Sequence, residues 1–254
     1  MKYKEFAQVL EKELWGDYLW LKLKTIDIAH KALPGQFVNI RVGDGFDPLL
    51  RRPFSICDVE GDSLSVLILV KGRGTSLLSK VAIGDNLNIL GPLGNAFPVT
   101  DKSAIFVAGG IGIAPFVYLS RNFKDTELCL GVRSAELLPP VESLLFSPLR
   151  DNVSKIHISS DDGTIGVKGN VIDLLKDLSF DNRVVYVCGT DAMFRAVASF
   201  FDSLDSRVEA YFSLETYMGC GFGACKGCAV EGVDGSVKMC CTDGAVFRYN
   251  EVKW

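Results

Sequence analysis

Five of the eight cysteines in this 254-residue sequence crowd into one C-terminal stretch. They stand at Cys220, Cys225, Cys228, Cys240 and Cys241. A C-x4-C-x2-C run followed by a later cysteine is the ligand spacing of plant-type [2Fe–2S] clusters, in which one tight loop supplies three thiolates and a later turn supplies the fourth. The spacing predicts such a cluster and leaves open whether Cys240 or Cys241 is the fourth ligand.

Glycines interleaved with these cysteines support the same interpretation. Glycine lets the backbone adopt positive φ and approach the sulfur atoms, so that peptide N–H groups can hydrogen-bond them. The glycines are Gly219, Gly221, Gly223 and Gly227. A structural zinc site is a weaker explanation, because zinc ribbons usually pair two C-x2-C hairpins. A disulfide framework is weaker still, because it is typical of small secreted domains and the first residues do not resemble a secretory signal.

A second group of motifs suits a flavin nucleotide. Arg52-Pro53-Phe54-Ser55 is followed by Gly72-x-Gly74-Thr75 and then by Gly91-Pro92-Leu93-Gly94. In this order the motifs resemble the flavin-binding domain of the ferredoxin reductase superfamily, which implies that Arg52 meets the FAD pyrophosphate and that Ser55 lies beside the isoalloxazine ring. Guanidinium and hydroxyl groups suit these contacts. The predicted FAD-binding residues are Arg52, Pro53, Phe54, Ser55, Leu67, Ile68, Leu69, Gly74 and Thr75.

Two further motifs predict a nicotinamide nucleotide site. The run from Ala108 to Pro115, AGGIGIAP, follows an apolar strand and opens a helix, so that peptide N–H groups would face a pyrophosphate. The run from Val185 to Met193 resembles the second nicotinamide signature of the same superfamily, which places Cys188 near the nicotinamide and the flavin as the catalytic candidate. A buried thiol that only fills space is the other interpretation of Cys188. The nucleotide-binding candidates are Gly109, Gly110, Gly112, Pro115 and Gly189.

The hydrophobic pattern divides the chain into three modules that would position these sites. From Glu13 to Pro98, short alternating runs between Gly, Pro and Asp turns predict an antiparallel β-barrel or sandwich, and the resemblance to the flavin domain favours the barrel. Strands then alternate with helices, which is typical of a parallel α/β sheet. The fold class is therefore β plus α/β, with a FAD-binding barrel over 1–98, an NAD-binding α/β domain over 99–208 and a [2Fe–2S] module over 209–254.

Composition excludes two classes of partner. Lys and Arg number 27 against 31 Asp and Glu, and a net charge of −4 provides no basic field for nucleic acid. The longest apolar stretch, 104–119, is shorter than the roughly 20 residues of a membrane span and contains several glycines. We expect a cytoplasmic protein that binds neither nucleic acid nor membrane.

The full order of motifs, ending in Cys241-Thr242-Asp243-Gly244-Ala245-Val246-Phe247, resembles the electron-transfer subunits of class 1B dihydroorotate dehydrogenases over nearly the whole chain. In that family the ligand precedes x-Asp-Gly, so the resemblance implies Cys220, Cys225, Cys228 and Cys241 as cluster ligands. It also implies a partner subunit that oxidises dihydroorotate on FMN in pyrimidine (UMP) biosynthesis. Electrons would pass from it through the cluster and FAD to NAD, in a heterotetramer of two plus two chains.

The chemistry of the carriers supports this division of labour. A nicotinamide exchanges a hydride, a cluster takes one electron at a time, and a flavin can do both. The chain departs from the family pattern at Phe54, at Ala245 and in the strand 67–69, which puts individual flavin contacts in doubt.

Two other functions share the same modules. One is a subunit of a ferredoxin-dependent NAD(P) reductase or of a sulfhydrogenase-type complex. The other is a non-catalytic redox sensor or scaffold. The sequence leaves both open, since fold and cofactor motifs do not determine the reaction.

Overall fold

The computed structural model describes residues 2–43, 45–143, 146–204 and 207–254, and its first part is a closed barrel. The barrel strands are β1 (Tyr3–Trp15), β2 (Tyr18–Lys24), β3 (Phe37–Ile40), β4 (Arg52–Glu60), β5 (Ser63–Leu69) and β6 (Asn86–Leu93). They are antiparallel and close in the order β1-β2-β5-β4-β3-β6. Two short helices, α1 (Asp27–Lys31) and α2 (Arg73–Leu78), lie in the connections. The predicted antiparallel barrel is confirmed, and it begins at Tyr3 rather than at Glu13.

Strand β3 shows how the barrel wall also serves as a docking face for the other modules. Successive side chains of a strand point to opposite faces. Val38 and Ile40 accordingly lie in the barrel core, whereas Phe37 packs in a second core that contains Met218 and Cys228. The outer face of β3 is therefore held against the C-terminal segment.

A parallel sheet with flanking helices follows the barrel and confirms the predicted α/β architecture. Its strands are β7 (Ser103–Gly109), β8 (Thr126–Val132), β9 (Val153–Ser160), β10 (Val167–Lys168), β11 (Arg183–Cys188) and β12 (Glu209–Ser213). Its helices are α3 (Ala114–Ser120), α4 (Ser147–Asn152), α5 (Val171–Leu175) and α6 (Asp191–Asp202). The order β10-β9-β8-β7-β11-β12 reverses between β7 and β11. In open parallel sheets, ligands bind beyond the carboxyl ends of the strands at such a switch point.

The C-terminal segment combines a small hairpin with an edge strand of the second sheet. Strands β13 (Ala229–Glu231) and β14 (Val237–Met239) form the hairpin, and β15 (Val246–Arg248) pairs antiparallel with β12. The second sheet thus extends beyond residue 208, and the module boundaries at 98 and 208 stay predictions. None of the described helices is long and apolar enough to cross a membrane.

Candidate flavin and iron–sulfur sites

A cleft lies between the barrel and the second sheet, and all nine predicted flavin residues line it. Ile111 and Ala114, from the connection after β7, line the same cleft, as does Glu215 just beyond β12. The structure therefore brings the first two flavin motifs and the glycine-rich nucleotide motif to one cavity. The third flavin motif lies against the C-terminal segment instead, where a methyl group built on Gly94 would lie 3.0 Å from Ala245 N.

Arg52 and the first turn of α2 form one wall of this cleft. A methyl group built on Gly74 would lie only 3.1 Å from Arg52 Nε, so the guanidinium packs directly over the glycine. The hydroxyl of Thr75 accepts hydrogen bonds from the N–H groups of Lys71 and Gly72, both at 3.1 Å, and holds the turn closed. A guanidinium that lines this cleft suits a pyrophosphate, and this role of Arg52 stays a prediction.

The two nicotinamide motifs meet at the switch point of the sheet. A methyl group on Gly112 would lie 2.1 Å from the carbonyl oxygen of Cys188, so only glycine allows this backbone contact. Gly109 lies beside the same segment: a methyl group built on it would lie 2.8 Å from Met193 Sδ and at an ordinary 3.4 Å from Gly189 Cα. Pro115 lies in the first turn of α3, where its missing N–H costs no helical hydrogen bond.

Cys188 is buried at the end of β11, with 2% of its surface exposed. Burial raises the pKa of its thiol, nearby Glu215 raises it further, and a hydrogen bond with Ser213 opposes the shift. Cys188 is therefore a neutral thiol behind the cleft wall. Its catalytic role stays a prediction.

The four predicted cluster ligands form two pairs. The N–H groups of Cys220 and Cys225 each donate to the other's sulfur at 3.4 Å, and the N–H of Cys241 donates to Cys228 Sγ at 3.5 Å. Two irons that each need two thiolates suit two such pairs. Among the described residues, no group of three or more His, Cys, Asp or Glu side chains is arranged around a single metal-ion site.

Backbone N–H groups surround the first pair, as the glycine content predicts. The N–H of Phe222 donates to Cys220 Sγ at 3.5 Å, and that of Gly227 donates to Cys225 Sγ at 3.4 Å. Burial raises the pKa of the Cys220 thiol, but the N–H groups of Phe222 and Cys225, together with the Cys225 side chain, outweigh it and lower the pKa to about 6. These contacts favour the thiolate form of Cys220, the form that ligates iron.

The two pairs differ in exposure. Cys225 is exposed and Cys220 is half-buried, whereas Cys228 and Cys241 are buried. Burial, followed by contact with Cys228, raises the pKa of the Cys241 thiol to about 11. We call Cys220 and Cys225 the outer pair, and Cys228 and Cys241 the inner pair.

A small pocket joins the flavin cleft to the cysteine module. Ser55 and Glu215 line both cavities. Met218, Cys240 and Ala245 complete the side nearer the cysteines. The segment 214–218 therefore connects the two candidate redox sites, both along the chain and through side-chain packing.

Two site residues lack a sequence motif. Glu215, just beyond β12, lines the flavin cleft, as does Lys71. An acidic residue just beyond a parallel strand could have marked it. Asn39 lies fully buried against the cysteine loop, and its only mark in the sequence is a polar residue within the apolar run 37–40.

Comparisons with known proteins match this arrangement. Residues 215–253 match the family described as the iron–sulfur cluster binding domain of dihydroorotate dehydrogenase B. The chain is 37% identical to the dihydroorotate dehydrogenase B (NAD(+)) electron transfer subunit of Geobacillus kaustophilus, with 86% of each chain covered. It is 34% identical to that of Bacillus mycoides, with 99% of each covered. A solved chain of an NADH-dependent reduced ferredoxin-NADP oxidoreductase superposes with a TM-score of 0.84 and 26% identity, covering 98% of this chain and 90% of that one.

Proposed function

Because the chain belongs to the family of dihydroorotate dehydrogenase B electron transfer subunits, we propose that it carries electrons from a dihydroorotate-oxidising, FMN-containing partner subunit to NAD(+). It is then an NAD-linked oxidoreductase subunit of pyrimidine (UMP) biosynthesis, in which the partner performs the substrate oxidation. The observation that supports this most strongly is the pairing of four cysteines next to a cleft lined by the flavin motifs. We propose that it works in the cytoplasm, in a heterotetramer of two plus two chains.

The cleft residues fit FAD and a nicotinamide nucleotide. Arg52 and the Gly74–Thr75 turn bind the pyrophosphate, and Ser55 donates to the ring system. The Gly109–Gly112 turn and Gly189 bring NAD against the same cavity. When bound, FAD exchanges a hydride with the nicotinamide and single electrons with the cluster.

The cysteine loop fits a [2Fe–2S] cluster. The outer pair would hold one iron, and the inner pair, which packs beside the 214–218 segment at the border of the flavin cleft, would hold the other. Peptide N–H groups directed at Cys220 and Cys225 stabilise the negative charge on sulfur. One iron would thus lie nearer the partner subunit, and the other would lie nearer the flavin.

A groove beside the outer pair provides the surface for the partner subunit. It is lined by Lys4, Leu49, Leu50, Arg51, Leu90, Gly219, Cys220 and Phe222, which we call the outer groove. Leu49 is 69% exposed and Phe222 is 49% exposed, an arrangement typical of a protein interface. Because the partner's redox group must approach the exposed cysteines to exchange electrons, the partner docks at this groove.

Reconstitution with the partner tests the proposal. The purified chain is mixed with its FMN-containing partner subunit, and NADH formation from dihydroorotate and NAD(+) is followed by absorbance. We expect NADH only when both chains are present. Equal NADH formation by the partner alone, or none from the two together when both carry their cofactors, contradicts the proposal.

The structural similarity to the NADH-dependent ferredoxin-NADP oxidoreductase chain favours one second function, reduction or oxidation of a ferredoxin. The same preparation tests it: a low-potential ferredoxin replaces the partner, and its NADH-dependent reduction is followed spectroscopically. Ferredoxin turnover at the rate of the reconstituted complex would favour this second function.

A further inference from the structure

The side chain of Asn39 is buried without a partner at the junction of the barrel and the cysteine module. Asn39 is fully buried in β3. Within the part of the chain that the structure describes, neither Oδ1 nor Nδ2 has a hydrogen-bond partner. The backbone of Asn39 is engaged, because it lies between Pro53 and Leu90 in the sheet and its carbonyl accepts from Arg51 at 3.3 Å. Only the carboxamide remains unpaired.

An unpaired buried amide is costly, whereas an apolar side chain of the same shape would lose nothing there. Leucine has that shape, and the other outward side chain of β3, Phe37, already packs in an apolar cluster with Leu93 and Met218. An asparagine at this place makes physical sense if a partner reaches it in the working protein.

The amide nitrogen points at the cysteine loop. A methyl group built on Gly221 would lie 2.8 Å from Asn39 Nδ2 and 3.1 Å from Leu93 Cδ1. Gly221 is buried and has a φ of +81°, which glycine adopts without strain. It connects Cys220 to Phe222, whose N–H donates to Cys220 Sγ. Asn39 Nδ2 therefore abuts the peptide segment that directs the Cys220 thiolate.

We propose that Asn39 is a positioning residue for the iron–sulfur cluster, in that its Nδ2 donates a hydrogen bond to the loaded loop at 220–222 and holds Cys220 toward the outer iron. The inference rests on the proposed function. A loop that carries a cluster offers hydrogen-bond acceptors, namely sulfur atoms and carbonyl oxygens. The N–H group of the Asn39 carboxamide is therefore the part that forms the bond. Asn39 binds no iron itself.

The test compares loaded and cluster-free full-length protein for the wild type, Asn39→Leu and Asn39→Asp. Leucine keeps the shape and removes both polar atoms, and aspartate keeps acceptors but removes the donor. The readouts are the melting temperature of both forms, iron and FAD content, and the rate of iron loss to a chelator. Val38→Ala is the matched control, because Val38 is fully buried on the opposite face of the same strand, in the barrel core.

We expect Asn39→Leu to lose iron about tenfold faster, as removal of one useful hydrogen bond implies. Its cluster-free form should melt at the wild-type temperature or above, so the stabilisation by the cluster shrinks. Asn39→Asp should lose iron at least as fast, while FAD content stays constant. Val38→Ala should lower both melting temperatures equally and leave the rate of iron loss unchanged.

Three outcomes overturn the inference. Equal effects of Asn39→Leu on the loaded and cluster-free forms would mean a purely structural role or a bound water. Wild-type cluster retention in Asn39→Asp would mean that the donor is not the active group. A wild type that binds no iron would overturn the proposed function as well, so the two failures are distinguishable.

Discussion

Cys240 and Cys241, adjacent in sequence, direct their sulfur atoms to different neighbours. Cys240 Sγ donates to the carbonyl oxygen of Leu214 at 3.3 Å, and burial raises the pKa of its thiol to about 12. Cys241 interacts with Cys228, the third cysteine of the loop. The choice of Cys241 as fourth ligand stays a prediction. It is supported by the different neighbours of the two sulfur atoms.

Substitution of the two cysteines separates their roles. Cys241→Ser should abolish or strongly destabilise the cluster, because it leaves the inner iron with one cysteine ligand. Cys240→Ser should leave the visible absorption and iron content intact. If the spectra and iron content of the two variants show the reverse pattern, Cys240 is the fourth ligand instead.

Removal of the Arg52 guanidinium should weaken FAD binding and spare the cluster. A charge-assisted contact to the pyrophosphate is worth roughly 1.5–3 kcal/mol, so Arg52→Ala should weaken FAD binding by about tenfold to a hundredfold. Flavin fluorescence after dilution measures the release. Arg150→Ala, a change on α4 away from the cleft, is the control, and unchanged flavin content in Arg52→Ala would contradict the assignment.

A methyl group at Gly112 should disturb the nicotinamide site. It would lie 2.1 Å from the Cys188 carbonyl, so backbone must move at the switch point of the sheet. We expect Gly112→Ala to slow NADH-dependent bleaching of the flavin, measured anaerobically by stopped flow, with iron content unchanged. Gly43→Ala is the matched control, since its methyl group would meet Leu77 at an ordinary 3.8 Å. Wild-type bleaching rates in Gly112→Ala would refute this role.

A charge in the outer groove should release the partner subunit without damage to the redox sites. An unpaired carboxylate at a buried interface position costs about 2 kcal/mol or more, so Leu49→Asp should weaken the complex by at least about tenfold. Its NADH oxidation with an artificial acceptor should match the wild type. Val167→Asp, on edge strand β10, is the control. Normal complex formation by Leu49→Asp in analytical ultracentrifugation would show that the partner binds elsewhere.

The barrel and the parallel sheet could be predicted because their strands are apolar and are punctuated by turns. The predicted strands at 103–108 and 183–188 correspond closely to β7 and β11. Strand β1 was missed because charged residues alternate with apolar ones through 3–15, and only the inward positions Ala7 and Val9 are fully buried. The hydrophobic pattern does not reveal this strand, because many of its side chains are charged and exposed. The closed barrel stabilises it.

The chemistry of the site was predictable where it depends on spacing, and it was hidden where it depends on contacts between distant segments. The cysteine run and the flavin motifs carry their own local pattern. Asn39 and Glu215 do not, because their surroundings come from residues that only the folded chain brings together. Strand β15 was also hidden, since a three-residue run joins the sheet only through pairing with β12.

The composition of the isolated chain, purified without air, tests the central claim most directly. The account predicts a reddish-brown protein with one FAD and two irons per chain. It should oxidise NADH with an artificial acceptor and leave dihydroorotate untouched, since the substrate site belongs to the partner. Zinc in place of iron, or oxidation of dihydroorotate by this chain alone, would contradict it.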